Sequence, residues 1–513
     1  AGSAIERAPS SGAIRLPRRM GDVPQRSWRR FGAGSRSSSL GVAGEESQSE
    51  SLVGPPDSQR QLGRWAITFL VYFNVSGGPF GAEDLVSACG PLPGLIGCVV
   101  FMLLWATPVS LVTAELSTAF PEDGGYSIWV SEAFGEFWGF MESYLSWGSG
   151  VVDNALYPVL AYQTAVRIFG GMWGDPLPSE DSNADLTSWK SYACKVVLTF
   201  IFSIPNFLSA SAFERGLGLA FGFVVLPFAV FSILSILFAR GGKWSNLLIV
   251  RENATSSDVG TLLTTLYWNF SGFDCVSTCA GEVRDPQRSF PQGLAMAIFF
   301  VTLSYSVPLS AAIANGTPSW SKWDAGWWST VGLEQVGSWM GSWIVLAAFV
   351  SSFGQHVAEL FEDSWQLAGM ADTGMLPAIF SKRHPLLGSP WVAVLFQLCL
   401  ILLLVSFDFT SILVVSSCLS VLSTLLELSA FAKLRASRPE LERPFAVPVQ
   451  SRAGLALFLF FPFVIGSVSF VSCFVGGGFM LPVVNSLGLL GGPLSYIALR
   501  RCTGARYHHG AVR

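Results

Sequence analysis

After residue 62 the chain falls into long apolar runs separated mostly by short polar stretches. Gly94–Val112 and Ala453–Phe474 are typical, and a helix of about 20 apolar residues crosses a bilayer. The pattern predicts about twelve spans, near 65–88, 93–119, 137–170, 190–206, 215–240, 258–280, 290–314, 335–370, 390–406, 409–435, 453–473 and 476–499. Residues 1–62 carry no such run and are rich in Ser, Arg, Gly and Pro. They read as a disordered cytoplasmic tail. Their first forty residues hold only Glu6 and Asp22 as acids, a bias that an organelle transit peptide would share.

Two runs are interrupted. The first is cut at Ser76-Gly77-Gly78-Pro79-Phe80-Gly81, the sixth at Asn269-Phe270-Ser271-Gly272-Phe273-Asp274. Proline removes an amide donor and glycine lifts the Cβ constraint, so both segments unwind a helix. In hydrocarbon, freed backbone groups persist where they line a cavity or meet a ligand. Glycines that merely allow close helix packing are the plainer reading of either break. Two breaks five spans apart instead predict inverted five-helix repeats, about 65–240 and 258–435, within a core at 63–435. Two additional helices in 436–500 and a cytoplasmic tail at 501–513 complete the expected organisation.

Composition narrows the class. The chain is 51% hydrophobic and only 13% charged, about half the charge of an average soluble protein. This is an all-α polytopic membrane protein, not a water-soluble enzyme of several domains. The net charge of −4 says little about partners, and no basic groove for nucleic acid is visible. Nine cysteines lie mainly within apolar runs, as small buried hydrophobes rather than a disulfide framework. Four histidines, with no nucleophile elbow or metal-spaced cluster, give no catalytic constellation and call for no cofactor. Lys and Arg concentrate in alternate loops, which predicts both termini in the cytoplasm. The sequons at Asn253 and Asn315 fall outside on that orientation.

Acids inside the apolar runs carry the chemistry. Glu115, Asp153, Asp274, Glu359 and Glu427 lie within spans, and Glu83 and Asp84 follow the first break. A carboxylate at membrane depth is costly unless paired, protonated or wetted. Glu115 and Glu427 sit near span ends, where a cap or loop contact is expected, and Glu83 and Asp84 suit an outer vestibule. Asp153 and Asp274 lie deeper. A substrate carboxylate would use the free amides of Gly77, Gly78, Phe80 and Gly81. A polyamine would use Asp153, Asp274 and Glu359 within an aromatic cage of Tyr157, Trp268, Phe273 and Trp365. His356 suits either a packed, hydrogen-bonded role or a proton relay.

Tyr126–Gly135, following Pro121-Glu-Asp-Gly-Gly, and Gly281–Pro291 resemble cytoplasmic loops of the amino acid–polyamine–organocation superfamily. Tyr72–Asp84, Ser149–Leu160, Leu367–Pro377 and Arg443–Pro448 resemble plant-type polyamine uptake transporters, in order over roughly 65–500. The resemblance implies a LeuT-type 5+5 inverted repeat with helices 1 and 6 broken. It also implies proton-driven import of putrescine, spermidine or spermine. The plasma membrane is the default location, with Golgi, vacuolar or plastid membranes left open by the Arg-rich N-terminal segment. Carried over, the resemblance places Gly77, Gly78 and Phe80 at the first unwound segment and Asp153, Asn154 and Tyr157 on the third helix. It places Asn269, Phe273 and Asp274 at the second break and Glu359 on the eighth helix, with Asp153, Asp274 and Glu359 as proton-coupling candidates. The sequence departs at Phe270–Asp274, where plant members usually carry Asn-Tyr-Trp-Asp, and at Gln355, His356 and Glu362. The first departure is similar to general amino-acid permeases, so proton-coupled amino-acid transport stands as the alternative. A disulfide-linked heavy chain is not expected, because Gly171–Tyr192 holds no cysteine.

Overall fold

The computed structural model describes residues 60–169, 189–208, 210–238, 243–323, 326–407, 409–449, 451–474 and 480–503. The expected tail and transit segment up to 59, most of the 171–192 loop and the end of the C-terminal tail lie outside them.

The apolar runs fold as helices, and no strand forms among the described residues. The first span divides into α1 (Arg64–Val75) and α2 (Glu83–Cys89), followed by α3 (Pro91–Ala119). A loop leads to α4 (Tyr126–Phe134), α5 (Glu136–Asn154) and α6 (Leu156–Phe169). Next come α7 (Trp189–Ser203), α8 (Ala210–Phe238) and α9 (Ser256–Phe270). The second half continues with α10 (Pro286–Asn315), α11 (Trp328–Gln335) and α12 (Ser338–Asp372). It ends with α13 (Trp391–Leu404), α14 (Phe409–Ser437), α15 (Arg452–Ser472) and α16 (Met480–Thr503).

Local chemistry explains the punctuation. Helix α9 starts on a capping box, Thr255 and Asp258 bonding each other's backbone. Within α3 the ladder widens to a π turn at Met102–Ala106, just before Pro108, and the Thr107 hydroxyl bonds the Met102 carbonyl at 2.8 Å. The short helices α4 and α11 lie in stretches read from sequence as loops.

By length and composition, seven helices among the described residues can cross a membrane, from Pro91–Ala119 to Pro482–Arg501. The count is below twelve because breaks and short segments divide other apolar runs. Large apolar side chains point outward, Leu219 at 78% and Leu237 at 70% exposure, which in water would oppose folding. A lipid-facing surface resolves that conflict: this is a multi-pass membrane protein. Inside, α1 packs on α10, α5 on α14, and α12 on α5, α6 and α8, so α12 runs through the centre.

Candidate functional site

Both predicted breaks are present, and they touch. The first runs through Gly77, Gly78 and Gly81 at φ of 56°, 116° and 80°, the left-handed region open to glycine. The second turns at Gly272, φ 94°, where a Cβ would stand 3.1 Å from the Asn74 carbonyl of α1. Asn269 donates to the Gly81 carbonyl at 3.2 Å, and Asn74 donates to Glu362 of α12. The first break's polar groups are largely engaged. Gly77 N–H donates to Tyr72 O and Gly78 N–H to Ser76 Oγ, while the Gly77 and Pro79 carbonyls accept from Ser351 and Trp328.

Beside the breaks lies a narrow cavity of about 50 Å³, room for about four waters. Five carboxyl groups line it, Asp153, Asp274, Glu359, Asp363 and Glu427, and its lining contains no Lys or Arg. Tyr157 donates to Asp153 Oδ2 at 3.0 Å, and the Trp268 indole N–H approaches Oδ1 at 3.3 Å. Thr424 donates to Asp274 at 3.2 Å and Gln397 to Asp363 at 2.6 Å. Glu359 Oε2 is buried without a partner. Gly150 gives Asp363 its room, since a Cβ there would fall 2.4 Å from the carboxylate oxygens. Lys195 of α7 reaches the Val405 carbonyl, at 3.4 Å, rather than one of these acids.

The predicted residues thus divide. Asp153, Asp274 and Glu359 meet in the cavity, with Trp268 on its wall. Tyr157 stands behind Asp153, while Asn269 ties the two breaks together. Gly77, Gly78, Phe80, Asn154 and Phe273 do not line the cavity. Phe80 packs edge-on against Phe228, Asn154 is fully buried, and Phe273 belongs to the core. Trp365 leaves the expected cage altogether: its ring lies 5.1 Å beneath the Arg383 guanidinium. His356 is the packed histidine, bonded to Ser203 at 3.0 Å.

Other acids move as well. Glu427, expected at a cap, lines the cavity because it shares a face of α14 with Ser416, Ser420 and Ser423. Glu83, expected in a vestibule, is buried at 1% exposure and accepts the Gly326 amide at 3.0 Å. Asp363 was missed, although its i+4 spacing from Glu359 sets both on one helical face. Glu142 was also missed; it continues the α5 face of Ser146, Ser149 and Asp153. The Asn315 amide donates to the Ser235 carbonyl at 3.0 Å, which occupies the second sequon's acceptor nitrogen.

A second polar cluster lies in the loops. Asp123 accepts the Gly281 amide at 3.0 Å and Arg383 at 3.2 Å, and Arg383 also bonds Asp372 at 2.9 Å. Burial pushes the Asp123 carboxyl up to about 7, with Glu282 and Asp372 adding to the rise and Arg383 opposing it. The cluster joins the loop after α3, the segment after the second break and the loop after α12.

A family model for amino acid permeases matches residues 62–484. The chain belongs to the amino acid permease family. It is therefore a transporter and not an enzyme. Among its relatives, Polyamine transporter RMV1 of Arabidopsis thaliana is 36% identical over 386 residues, 75% of each chain. Polyamine transporter PUT1 of Oryza sativa subsp. japonica is 36% identical over 406 residues, 78% of this chain and 72% of that protein. More distant is the Glutamate/serine transporter AimA of Bacillus subtilis, 25% identical over 339 residues, 63% of this chain and 61% of that protein.

Proposed function

We propose that this permease imports polyamines by alternating access, with Asp153, Asp274 and Glu359 binding the ammonium groups. The observation that carries the reading is a cavity inside the helical bundle lined by five carboxyls and no basic side chain. Such a cavity repels anions and gains from a ligand bearing two or more ammonium groups. Trp268 offers an aromatic face to the same ligand. The relatives' names agree with that chemistry.

The architecture in this proposal is a ten-helix inverted repeat at 63–435 with two additional helices in 436–500. It unwinds in the first and sixth spans, where α1 meets α2 and where α9 ends. The cavity must widen to admit a polyamine, which the glycine-rich breaks allow. Protonation of one cavity acid, with Asp153, Asp274 and Glu359 as candidates, couples uptake to the proton gradient. Both termini lie in the cytoplasm, and the plasma membrane is the proposed location.

Neutralising Asp274 to Asn is expected to abolish labelled spermidine uptake while surface expression and elution profile stay normal. Normal uptake would remove Asp274 from the site. The alternative substrate, an amino acid, needs free amides at the first break, and two of those donors, Gly77 and Gly78, are already engaged. Spermidine-insensitive leucine or arginine uptake would favour it.

A further inference from the structure

Helices α5 and α14 carry matching polar faces. Glu142, Ser146, Ser149 and Asp153 run along one; Ser416, Ser420, Ser423 and Glu427 run along the other. Ser149 bonds Ser416 across the seam, by 3.0 Å to its carbonyl. At the other end Glu142 and Glu427, 0% and 2% exposed, both meet the Ser423 hydroxyl, at 2.9 and 3.3 Å.

Hydrogen counting limits what that arrangement can be. A hydroxyl has one proton, so Ser423 can donate to one carboxyl only. The other contact becomes a hydrogen bond when that carboxyl is itself protonated and donates to Ser423 Oγ. Neither carboxyl has an ion pair among the described residues, and two bare carboxylates at this separation repel. A further observation lies outside the pair: the Ser127 hydroxyl of α4, 1% exposed and otherwise without a partner, faces Glu142. Glu142 Oε2 is buried with no partner at hydrogen-bond distance, which leaves lone pairs for a proton. The titratable groups around the pair are Asp274 from the second break, whose carboxyl hydrogen-bonds Glu427, and Tyr126 from α4.

We propose that Glu142 and Glu427 share one exchangeable proton across Ser423, and that this pair carries the proton that drives transport. Resting on the coupled-transport reading above, the assignment moves the proton away from Asp153, Asp274 and Glu359. Loading forms an O–H bond on one carboxylate with a proton from water. Release breaks that bond, leaves the electron pair on oxygen and returns the proton to water. Substrate and proton then occupy different groups of one connected polar seam.

The test uses the full chain in proteoliposomes with labelled putrescine. Two readouts are needed: uptake under a one-unit inward proton gradient, and counterflow with equal pH on both sides. A one-unit gradient gives about tenfold accumulation for one coupled proton. In Glu142→Gln the amide imitates a permanently protonated carboxyl and still donates to Ser423. Its gradient-driven gain is expected to fall from about tenfold to about onefold, with counterflow within about twofold of wild type. An intact gradient response in that variant, or loss of counterflow in folded protein, overturns the assignment. If Glu142→Gln does not elute as folded protein, Ser423→Ala decides: a blunted gradient response supports the pair, an unchanged one overturns it. Wild-type flux indifferent to the gradient would defeat the coupled-transport reading and this assignment together. A coupled wild type with a coupled Glu142→Gln would defeat the assignment alone.

Discussion

Glu115 and Glu142 are equally buried, at 0% exposure, yet they live in opposite surroundings. Glu115 faces two arginines: Arg435 binds it through Nε at 2.8 Å and through a second guanidinium nitrogen, and Arg443 lies at 3.1 Å. The Val447 amide donates to it as well, at 2.8 Å. Glu142 has serine hydroxyls and another acid. Burial alone therefore does not mark a functional carboxyl in this protein. What separates the two is countercharge: Glu115 has it, whereas no Lys or Arg stands on the lining around the cavity's five acids.

The largest expected effect falls on the compensated side. Glu115→Ala strands Arg435 and Arg443, and breaking a buried pair costs about 3–5 kcal/mol. Thermal denaturation in detergent should show the loss, while protein that does fold keeps its substrate affinity. A drop in affinity with stability intact would erase the contrast between the two regions.

On the uncompensated side the sign should reverse. Asp153→Asn removes no partner's countercharge, so stability should hold or rise. Losing a charge-assisted contact to ammonium, about 1.5–3 kcal/mol, should weaken spermidine affinity roughly 10- to 150-fold in a binding assay. Large destabilisation with unchanged affinity would make Asp153 structural.

A smaller effect sharpens the comparison outside the apolar core. Asp123 is half-buried and half-compensated, and its carboxyl is pushed up to about 7, out of the usual acidic range. The folded state therefore holds this proton more tightly than the unfolded chain. Its contribution to stability is fully present below about pH 4 and is lost as pH rises through 7. Between pH 6 and 8 wild type should lose about 1.4 kcal/mol relative to Asp123→Asn. A flat difference in melting temperature across that interval would mean that Arg383 compensates the charge fully.

Much of this was legible in the residues. Apolar run length gave the helices, and Pro79 with its flanking glycines gave the first break, because those effects are local. The meeting of Asp153, Asp274 and Glu359 was also readable, since Asp153 and Asp274 sat deep in their runs and Glu359 is a third acid inside a span. Helical face proved harder to read than depth. Glu427 looked terminal by distance along α14, but its spacing from Ser420 and Ser423 puts it on the cavity wall. Trp365 looked like a cage residue until the fold placed Arg383 over its ring, a pairing across a loop that no local pattern encodes. Gly77 and Gly78 were sound as breakers, yet their amides turn back to Tyr72 and Ser76.

The central claim is that the uncompensated acids hold a polyamine. Its most direct test is labelled spermidine uptake into proteoliposomes, with and without an inward proton gradient, competed by putrescine, leucine and arginine. The account predicts gradient-dependent uptake that putrescine blocks and the amino acids do not. Amino-acid flux that spermidine leaves untouched would contradict it.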